Sequence, residues 1–285
     1  MTLRQALAVG TAFSLWAPAA FCAVGEGPIG EMVEEDVEII RQEDGMRRWT
    51  VAPMFSYSVF NKGRESWQEE SADIYYQPGK TFVAGGGIDI LNRPPSGTDI
   101  LYSAMASWYP WSFLEVHGEI SLCPDADFSP NQIYRGGFQY QAMPRIGVLF
   151  DYDQLNFTGG DISQIRPGLA YWFNDATYLT LRYARGWAFG DLEYNYYSAA
   201  LNVGEMPGGG RLTLGFAYGT DPDIEFGTNL TSLSNAYIYT LFYNQPVTRD
   251  LNIFAGIQYV YRLNEENTAE LYQQLTPTIG LVWKF

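Results

Sequence analysis

Apolar and polar residues alternate along most of this chain. In the segment 211–219 (RLTLGFAYG), every second residue from Leu212 to Tyr218 is large and apolar, and the residues between them are threonine, glycine or alanine. Successive side chains of a β-strand point to opposite faces, so this period of two predicts strands with one apolar face. Beyond residue 48 we find no long segment with the 3.6-residue repeat of a helix. The predicted strands are 49–60, 67–77, 80–91, 98–109, 112–122, 132–143, 145–157, 161–173, 177–189, 191–203, 210–219, 233–244, 251–262 and 271–285.

The connections between the predicted strands also alternate. Short turns such as QPGK (77–80) and AMPR (142–145) follow the even strands, and longer polar loops such as NKGRESWQEE (61–70) follow most odd strands. Each strand reaches the ~9–11 residues that a tilted strand needs to cross a bilayer. Short periplasmic turns and longer external loops are typical of outer-membrane barrels, whose even strand number places both termini on one side. We predict an all-β fold, a single antiparallel transmembrane β-barrel of about 14 strands (roughly 12–16), with both termini periplasmic.

A soluble β-sandwich would show the same alternation, but with shorter strands of about 5–6 residues. It would rarely place aromatic residues at both ends of its apolar faces, whereas a membrane barrel carries aromatic girdles at its two water interfaces. Aromatic residues make up 16% of this chain, which favours the barrel. The predicted girdle residues are Trp49, Trp108, Trp283 and Phe285 on the periplasmic side, and Tyr57, Phe157 and Trp187 on the outer side.

The final strand, LTPTIGLVWKF (275–285), alternates up to its last residue. Its outward set Leu281, Trp283 and Phe285 is predicted to be the strand signal that the barrel-assembly machinery reads. Closure of this strand against the first one would remove an exposed sheet edge. Pro53, Pro167 and Pro277 fall inside predicted strands, where proline cannot donate a ladder hydrogen bond, so each predicts a bulge or a shifted strand boundary.

The first 23 residues have the layout of a secretory signal peptide, with one basic residue, an apolar run and then small residues. We predict cleavage after Ala19 or Ala23. The predicted localisation of the mature chain is the outer membrane of a Gram-negative bacterium. Cys22 raises a lipid anchor as an alternative, although Phe21 before it is large. A membrane-spanning anchor is the other alternative, but the apolar run is shorter than the ~20 residues that a helical span needs.

Residues 24–48 differ in composition from the barrel region at 49–285. They are acidic, and Val33, Val37 and Ile40 recur at helical spacing. We predict a periplasmic arm or a short helix that lies in the periplasm or folds into the lumen, with a flexible acidic linker as the alternative.

The formal net charge of −15 argues against nucleic acid as a partner. The chain has two cysteines, and removal of the signal peptide would leave Cys123 alone and no intramolecular disulfide. The predicted barrel and its final strand indicate other partners, namely outer-membrane lipid, the barrel-assembly machinery, and small or glycan solutes.

Charged residues of both signs occur at the polar positions of the predicted strands. Opposed charges across a lumen form a narrow pore with a transverse field or a salt-bridged plug. Tyr194, Tyr196 and Trp172 share the polar positions and would stack on sugar rings or fill space. The predicted lumen-lining charges are Asp89, Arg135, Asp151, Asp153, Arg166, Arg182 and Arg262.

The single histidine, His117, lies in the strand pattern FLEVHGEISL (113–122). Glu115 and Glu119 share its face, so the pattern places a histidine between two carboxylates inside the barrel. Such a group can act as a general base or bind a metal. The spacing is that of any alternating strand, and neither a serine-nucleophile motif nor a histidine-rich metal set accompanies it. A hydrolase built on these residues is therefore the second hypothesis, beside a plain polar lumen wall.

The segments YIYTLFYNQPVTRDLN (237–252), GLVWKF (280–285) and LTLRYARG (179–186) resemble the YaiO-like outer-membrane barrel family. The resemblance covers mainly the last fifty or so residues and brings no catalytic residues. Some relatives are associated with surface polysaccharide systems, so the resemblance implies glycan passage or an accessory role.

We predict a non-enzymatic outer-membrane barrel that serves as a channel, or as an accessory, for small or glycan solutes. A hydrolase in the lumen is one alternative. A sealed structural barrel whose long loop at 219–233 binds a surface partner is the other. We predict no cofactor and no metal site, and the sequence does not give the oligomeric state.

Overall fold

The computed structural model of this chain describes residues 48–190, 192–223 and 232–285. It contains the fourteen strands that the alternation predicts, with ends shifted by a few residues. The strands are β1 (Arg48–Phe60), β2 (Trp67–Gln77), β3 (Phe82–Arg93), β4 (Gly97–Trp111), β5 (Leu114–Leu122), β6 (Gln132–Met143), β7 (Ile146–Phe157), β8 (Gly160–Trp172), β9 (Thr177–Ala188), β10 (Leu192–Met206), β11 (Gly210–Asp223), β12 (Ser232–Pro246), β13 (Leu251–Asn264) and β14 (Glu270–Lys284). No helix of the described residues is long and apolar enough to cross a membrane.

Each strand pairs antiparallel with its neighbours in sequence, and β1 pairs with β14, so the sheet is a closed barrel. The seam is held at one end by two reciprocal backbone hydrogen bonds between Trp49 and Phe285, each of 2.9 Å. Closure leaves no strand edge unpaired, which is the requirement for a sheet in lipid. The predicted pairing of the last strand with the first is confirmed.

The three prolines predicted to mark a bulge or a shifted boundary lie inside strands without a bulge. The register is the same on both sides of Pro53, Pro167 and Pro277, but each proline falls where one ladder skips two residue pairs. Because proline has no N–H to donate, the backbone pairing is lost locally. The strand itself continues through each proline. Both explanations that the sequence suggested, a bulge or a shifted boundary, are therefore wrong.

Burial alternates along the strands and separates an inward from an outward face. Large outward residues such as Ile74, Ile120 and Leu281 are exposed around the whole circumference and form an apolar belt. An apolar outward band is what lipid requires of a barrel surface. The fold is thus a single transmembrane β-barrel.

We call the end with the short connections, where β1 begins and β14 ends, the short-turn end, and the opposite end the long-loop end. Trp49, Trp108, Trp283 and Phe285 are exposed on the outside at the short-turn end, as predicted for one girdle. At the long-loop end, Tyr57 is also exposed on the outside, and Trp187 lies on the outward face, partly buried.

The prediction for Phe157 is wrong. Its side chain is only 7% exposed and packs inside the barrel with Ile162 and Ala184. Phe157 has the same strand parity as Asp151 and Asp153, so it faces the lumen with them. The signal peptide, residues 24–47 of the acidic arm and residues 224–231 of the long loop lie outside the described residues.

Candidate functional site: the lumen wall

The inward faces of the strands divide into two walls of different chemistry. We call the inward side chains of β2 to β9 the charged wall, because acidic and basic groups are concentrated there. We call those of β10 to β14 and β1 the neutral wall. Its side chains at mid-depth are serine, threonine, asparagine, glutamine and small or apolar residues, and its described inward basic residues, Arg211, Arg262 and Lys284, lie near strand ends.

Asp151 on β7 joins two cationic partners of the charged wall. Its Oδ1 lies 3.0 Å from Nε2 of His117 on β5, and its Oδ2 accepts a hydrogen bond from Nη1 of Arg182 on β9. All three side chains are largely buried. In a site with little water, such pairs are stronger than at a surface, and the loss of one partner is costly.

Asp153, two residues further along β7, forms a second group. Arg166 holds both of its carboxylate oxygens, at 3.0 and 3.2 Å, and the amide of Gln164 donates to Oδ2 at 2.6 Å. The carbonyl of Gln164 accepts from the hydroxyls of Tyr194 and Tyr196, at 3.2 and 3.4 Å. This chain of contacts connects the charged wall to the first strand of the neutral wall.

Arg135 on β6 extends the second group towards β5. Its guanidinium lies 3.6 Å from Oε2 of Glu119 and 3.9 Å from Oδ1 of Asp153. Ser121 donates to the other oxygen of Glu119 at 2.7 Å. Glu119 therefore belongs to this ion network, whereas Glu115 accepts a hydrogen bond from the Tyr109 hydroxyl at 2.9 Å.

The predicted lumen-lining charges all face inward, and the structure brings most of them together. The pairs join strands of the same wall that are adjacent or two apart, rather than opposite sides of the lumen. The expected transverse field between opposed charges is therefore replaced by locally neutralised pairs. Arg262 and Asp89 are the exceptions. Arg262 lies near the long-loop end of β13, fully buried, and donates to the Ser234 hydroxyl at 2.9 Å. Neither carboxylate oxygen of Asp89 has a hydrogen-bond partner among the described residues.

The geometry around His117 does not favour a hydrolase. Its Nε2 faces Asp151, and its Nδ1 lies 3.9 Å from Oε1 of Glu115. Ser107 on β4 lies opposite His117 in the ladder. A serine hydrolase needs one ring nitrogen for its carboxylate and the other for the nucleophile. Here both nitrogens face carboxylates, so the arrangement is that of a buried ion group.

Asp73 on β2 and Asp89 on β3 differ from the other acids of the charged wall. Asp73 is 3% exposed and Asp89 is fully buried. Oδ1 of Asp73 and both carboxylate oxygens of Asp89 have no hydrogen-bond partner among the described residues. Buried carboxylates are normally paired or bound to a cation, so these two require an explanation.

Loop 123–131, between β5 and β6, folds into the long-loop end of the barrel. The Asp99 carboxylate on β4 accepts three backbone N–H groups from it, those of residues 127, 128 and 129, at 2.8, 3.1 and 2.7 Å. Phe128 packs inside with Leu91 and Leu101, beneath the guanidinium of Arg93. Because these contacts hold the loop inside the barrel, the loop narrows the barrel's mouth. Burial raises the pKa of the Cys123 thiol in this loop to about 12.

Apolar clusters lie above and below the charged groups. At the short-turn end, Tyr75, Met105 and Phe254 belong to one cluster, and Leu149 and Trp172 to another. At the long-loop end, three clusters line the interior, and one of them contains Tyr194 and Tyr196. The ion network is thus enclosed between apolar layers, which lowers the local dielectric and strengthens its pairs.

Sequence reasoning missed Asp73, Asp99 and Gln164. Asp73 and Asp99 occupy the same alternating positions as the predicted charges, so strand parity could have found them. Gln164 carries no charge, so the pattern of charged residues could not identify it. The role of Asp99 depends on a loop that folds back over it, and parity does not contain that information.

The fold and its outward belt define the class of this protein as a transmembrane β-barrel. No family model matches the chain, and no curated protein matches it. The resemblance to the YaiO-like family therefore stays a prediction.

Several solved barrels are similar to this chain in fold. One is the CymD monoaromatic hydrocarbon channel, with a TM-score of 0.59 at 10% identity over 85% of this chain and 88% of that one. The Ralstonia pickettii toluene transporter TbuX gives 0.55 at 10% identity over 85% and 90%. A bacterial polysaccharide outer membrane secretin gives 0.57 at 8% identity over 86% and 100%. At such identities the likeness concerns the fold.

Proposed function

We propose that this chain is a channel for small solutes in the outer membrane of a Gram-negative bacterium, with its short-turn end in the periplasm. The observation that carries the proposal is a closed fourteen-stranded barrel whose mid-depth walls are mostly polar. The interior of a barrel widens with strand number, and eight strands are the size that side chains alone fill. The similar folds of proteins described as hydrocarbon channels and as a polysaccharide secretin support this function.

The neutral wall favours uncharged polar solutes, including sugars. Hydroxyl pairs line it near the seam, with Ser56 and Thr278 at 2.9 Å and Ser58 and Thr276 at 2.8 Å. Hydroxyl and amide groups exchange hydrogen bonds with a sugar at little net cost, whereas an apolar solute offers them no hydrogen bond. This chemistry supports a sugar-sized polar solute over a hydrocarbon.

Solute influx into proteoliposomes tests the channel. Vesicles that contain the refolded mature chain are diluted into isotonic glucose, maltose, glucuronate or glucosamine, and swelling is followed by light scattering. We expect neutral sugars to enter faster than into protein-free vesicles, and glucose faster than maltose. The chain without residues 24–47 is measured in parallel, because that segment is predicted to reach the lumen or the periplasm. No influx of any solute with either form would contradict the channel.

The final strand supports a second part of the proposal, its recognition by the barrel-assembly machinery. Trp283 and Phe285 lie on the outward face at the strand terminus, 54% and 58% exposed, with ring centroids 5.3 Å apart. We expect Phe285→Ala to reduce the amount of protein assembled in outer membranes while refolding in detergent is unchanged. Equal assembly of both forms would remove this part of the proposal.

A further inference from the structure

Asp73 on β2 and Asp89 on β3 form an acidic group outside the ion network. Asp89 is fully buried, and neither of its oxygens has a hydrogen-bond partner among the described residues. The hydroxyl of Ser71 lies opposite Asp89 in the β2–β3 ladder, and it too is buried without a partner. Two polar side chains of adjacent strands thus point into the lumen beside each other with unused oxygen atoms.

A glycine makes room for the next pair of oxygens. Asp73, Gly87 and Ser103 lie side by side on β2, β3 and β4. A Cβ at Gly87 would be 1.9 Å from Oδ1 of Asp73 and 3.1 Å from the hydroxyl of Ser103, and neither oxygen has a hydrogen-bond partner among the described residues. The missing side chain at Gly87 therefore lets the Asp73 carboxylate lie over this position, beside Ser103 and next to Asp89.

The neighbouring basic groups are engaged with other acids. Arg135 on β6, whose charge also acts on Asp89, makes its ion pairs with Glu119 and Asp153. Asp73 is hydrogen-bonded by the Tyr75 side chain, which leaves its Oδ1 available. Two buried carboxylates with free oxygens repel each other unless a cation or a proton compensates them.

We propose that Asp73, Asp89, Ser71 and Ser103 bind a partly hydrated divalent cation of the Ca²⁺ type. Carboxylate and hydroxyl oxygens are the ligands that hard cations prefer, and two carboxylates match the charge of one divalent ion. Among the described residues, no group of three or more His, Cys, Asp or Glu side chains is placed to hold a metal. Water must complete the six to eight oxygens of Ca²⁺, so we expect weak binding, with Kd of ~10⁻⁴–10⁻³ M.

This site does not depend on solute conduction, and it can be tested by binding alone. Isothermal titration of CaCl₂ into the refolded mature chain in detergent gives the affinity and stoichiometry. Tb³⁺ luminescence, excited through the buried Tyr75 on the same face of β2, reports whether an ion lies near Asp73. We expect one site per chain, with Ca²⁺ displacing Tb³⁺.

Two variants test whether Ca²⁺ binds at this site rather than to acidic residues elsewhere on the chain. Asp89→Asn removes one charge, and Gly87→Ala displaces the Asp73 carboxylate but keeps both acidic residues. The matched controls are Asp175→Asn, in an exposed turn, and Gly79→Ala, where an added Cβ meets no atom within 4 Å. We expect both site variants to weaken Ca²⁺ binding at least about tenfold and both controls to bind like the parent chain.

Heat-modified mobility on gels confirms that each variant is folded, and Ser103→Ala replaces Gly87→Ala if the latter is not. Equal Ca²⁺ binding by the parent chain and by both site variants would overturn the proposal. The absence of saturable Ca²⁺ binding by the parent chain would also overturn it, and would indicate that protons compensate the two carboxylates.

Discussion

The two walls of the lumen satisfy their polar groups in different ways. On the charged wall, Asp153 holds an arginine of the adjacent strand and Asp151 one that lies two strands away, so each ion depends on a specific partner. On the neutral wall, hydroxyls pair with hydroxyls, as Ser56 does with Thr278, and the Thr240 hydroxyl has no hydrogen-bond partner within the described part of the chain. A buried ion without its partner costs far more than a buried hydroxyl without one. The charged wall should therefore be rigid and sensitive to substitution, and the neutral wall tolerant.

The largest expected effect is that of Asp151→Asn. This change leaves the Arg182 guanidinium and the His117 ring without their shared carboxylate inside the barrel. Breaking a buried ion pair on one side costs about 3–5 kcal/mol, so we expect a decrease of that size in the free energy of unfolding. Urea unfolding in detergent micelles, followed by tryptophan fluorescence, measures it.

Thr240→Val on the neutral wall is the matched comparison. The Thr240 hydroxyl is buried and has no hydrogen-bond partner among the described residues, and valine has nearly the same shape. We expect the free energy of unfolding to stay within about 0.5 kcal/mol of the parent or to rise slightly. If Thr240→Val destabilises the barrel as much as Asp151→Asn, the contrast between the walls is wrong.

The next effect concerns the loop that Asp99 holds against the charged wall. Asp99→Asn removes the charge that accepts three backbone hydrogen bonds, and bonds to a charged group are worth about 1.5–3 kcal/mol. Cys123 is 1% exposed, so its modification by a thiol reagent requires the loop to open. We expect a rate increase of roughly 10–100-fold in the mature chain. Asp125→Asn, in the same loop but exposed, should react like the parent. Equal rates for all three forms would show that Asp99 does not hold the loop.

A smaller loss of stability than that of Asp151→Asn is expected at the seam of the barrel. Backbone pairing between β1 and β14 skips the residues beside Pro277, and the hydroxyl pair Ser56 and Thr278 lies directly next to that gap. Ser56→Ala should lower the free energy of unfolding by about 1 kcal/mol, the net value of one hydrogen bond. Ser112→Ala, in an exposed turn, is the control. A loss above about 3 kcal/mol would mean that the neutral wall is as demanding as the charged one.

Alternation alone predicted the strands, their order and the face of most residues, because lipid and lumen impose a period of two on every strand. It also placed Asp151, Asp153, Arg166 and Arg182 inside. It could not show that these charges pair along the wall, because pairing depends on the register between strands. Register is fixed by turns and by packing across the sheet, which the pattern of one strand does not contain.

The errors follow from the same limit. Phe157 was assigned to the outer girdle from its position near a strand end, although its parity with Asp153 already placed it inside. The prolines were expected to distort the strands, but each only interrupts one ladder. The alternation could not show that Oδ1 of Asp73 and both carboxylate oxygens of Asp89 have no hydrogen-bond partner among the described residues, because only the contacts around these side chains show it.

The central claim is that the lumen between the two walls is a path for solutes. The most direct test is the current across a planar lipid bilayer that contains the refolded mature chain, in a KCl gradient, with and without residues 24–47. We predict stepwise currents in at least one of the two forms. We also predict a preference for K⁺, because Oδ1 of Asp73 and both carboxylate oxygens of Asp89 have no hydrogen-bond partner among the described residues, and this preference should decrease in Asp89→Asn. Silent bilayers with both forms would contradict the claim and indicate a sealed barrel.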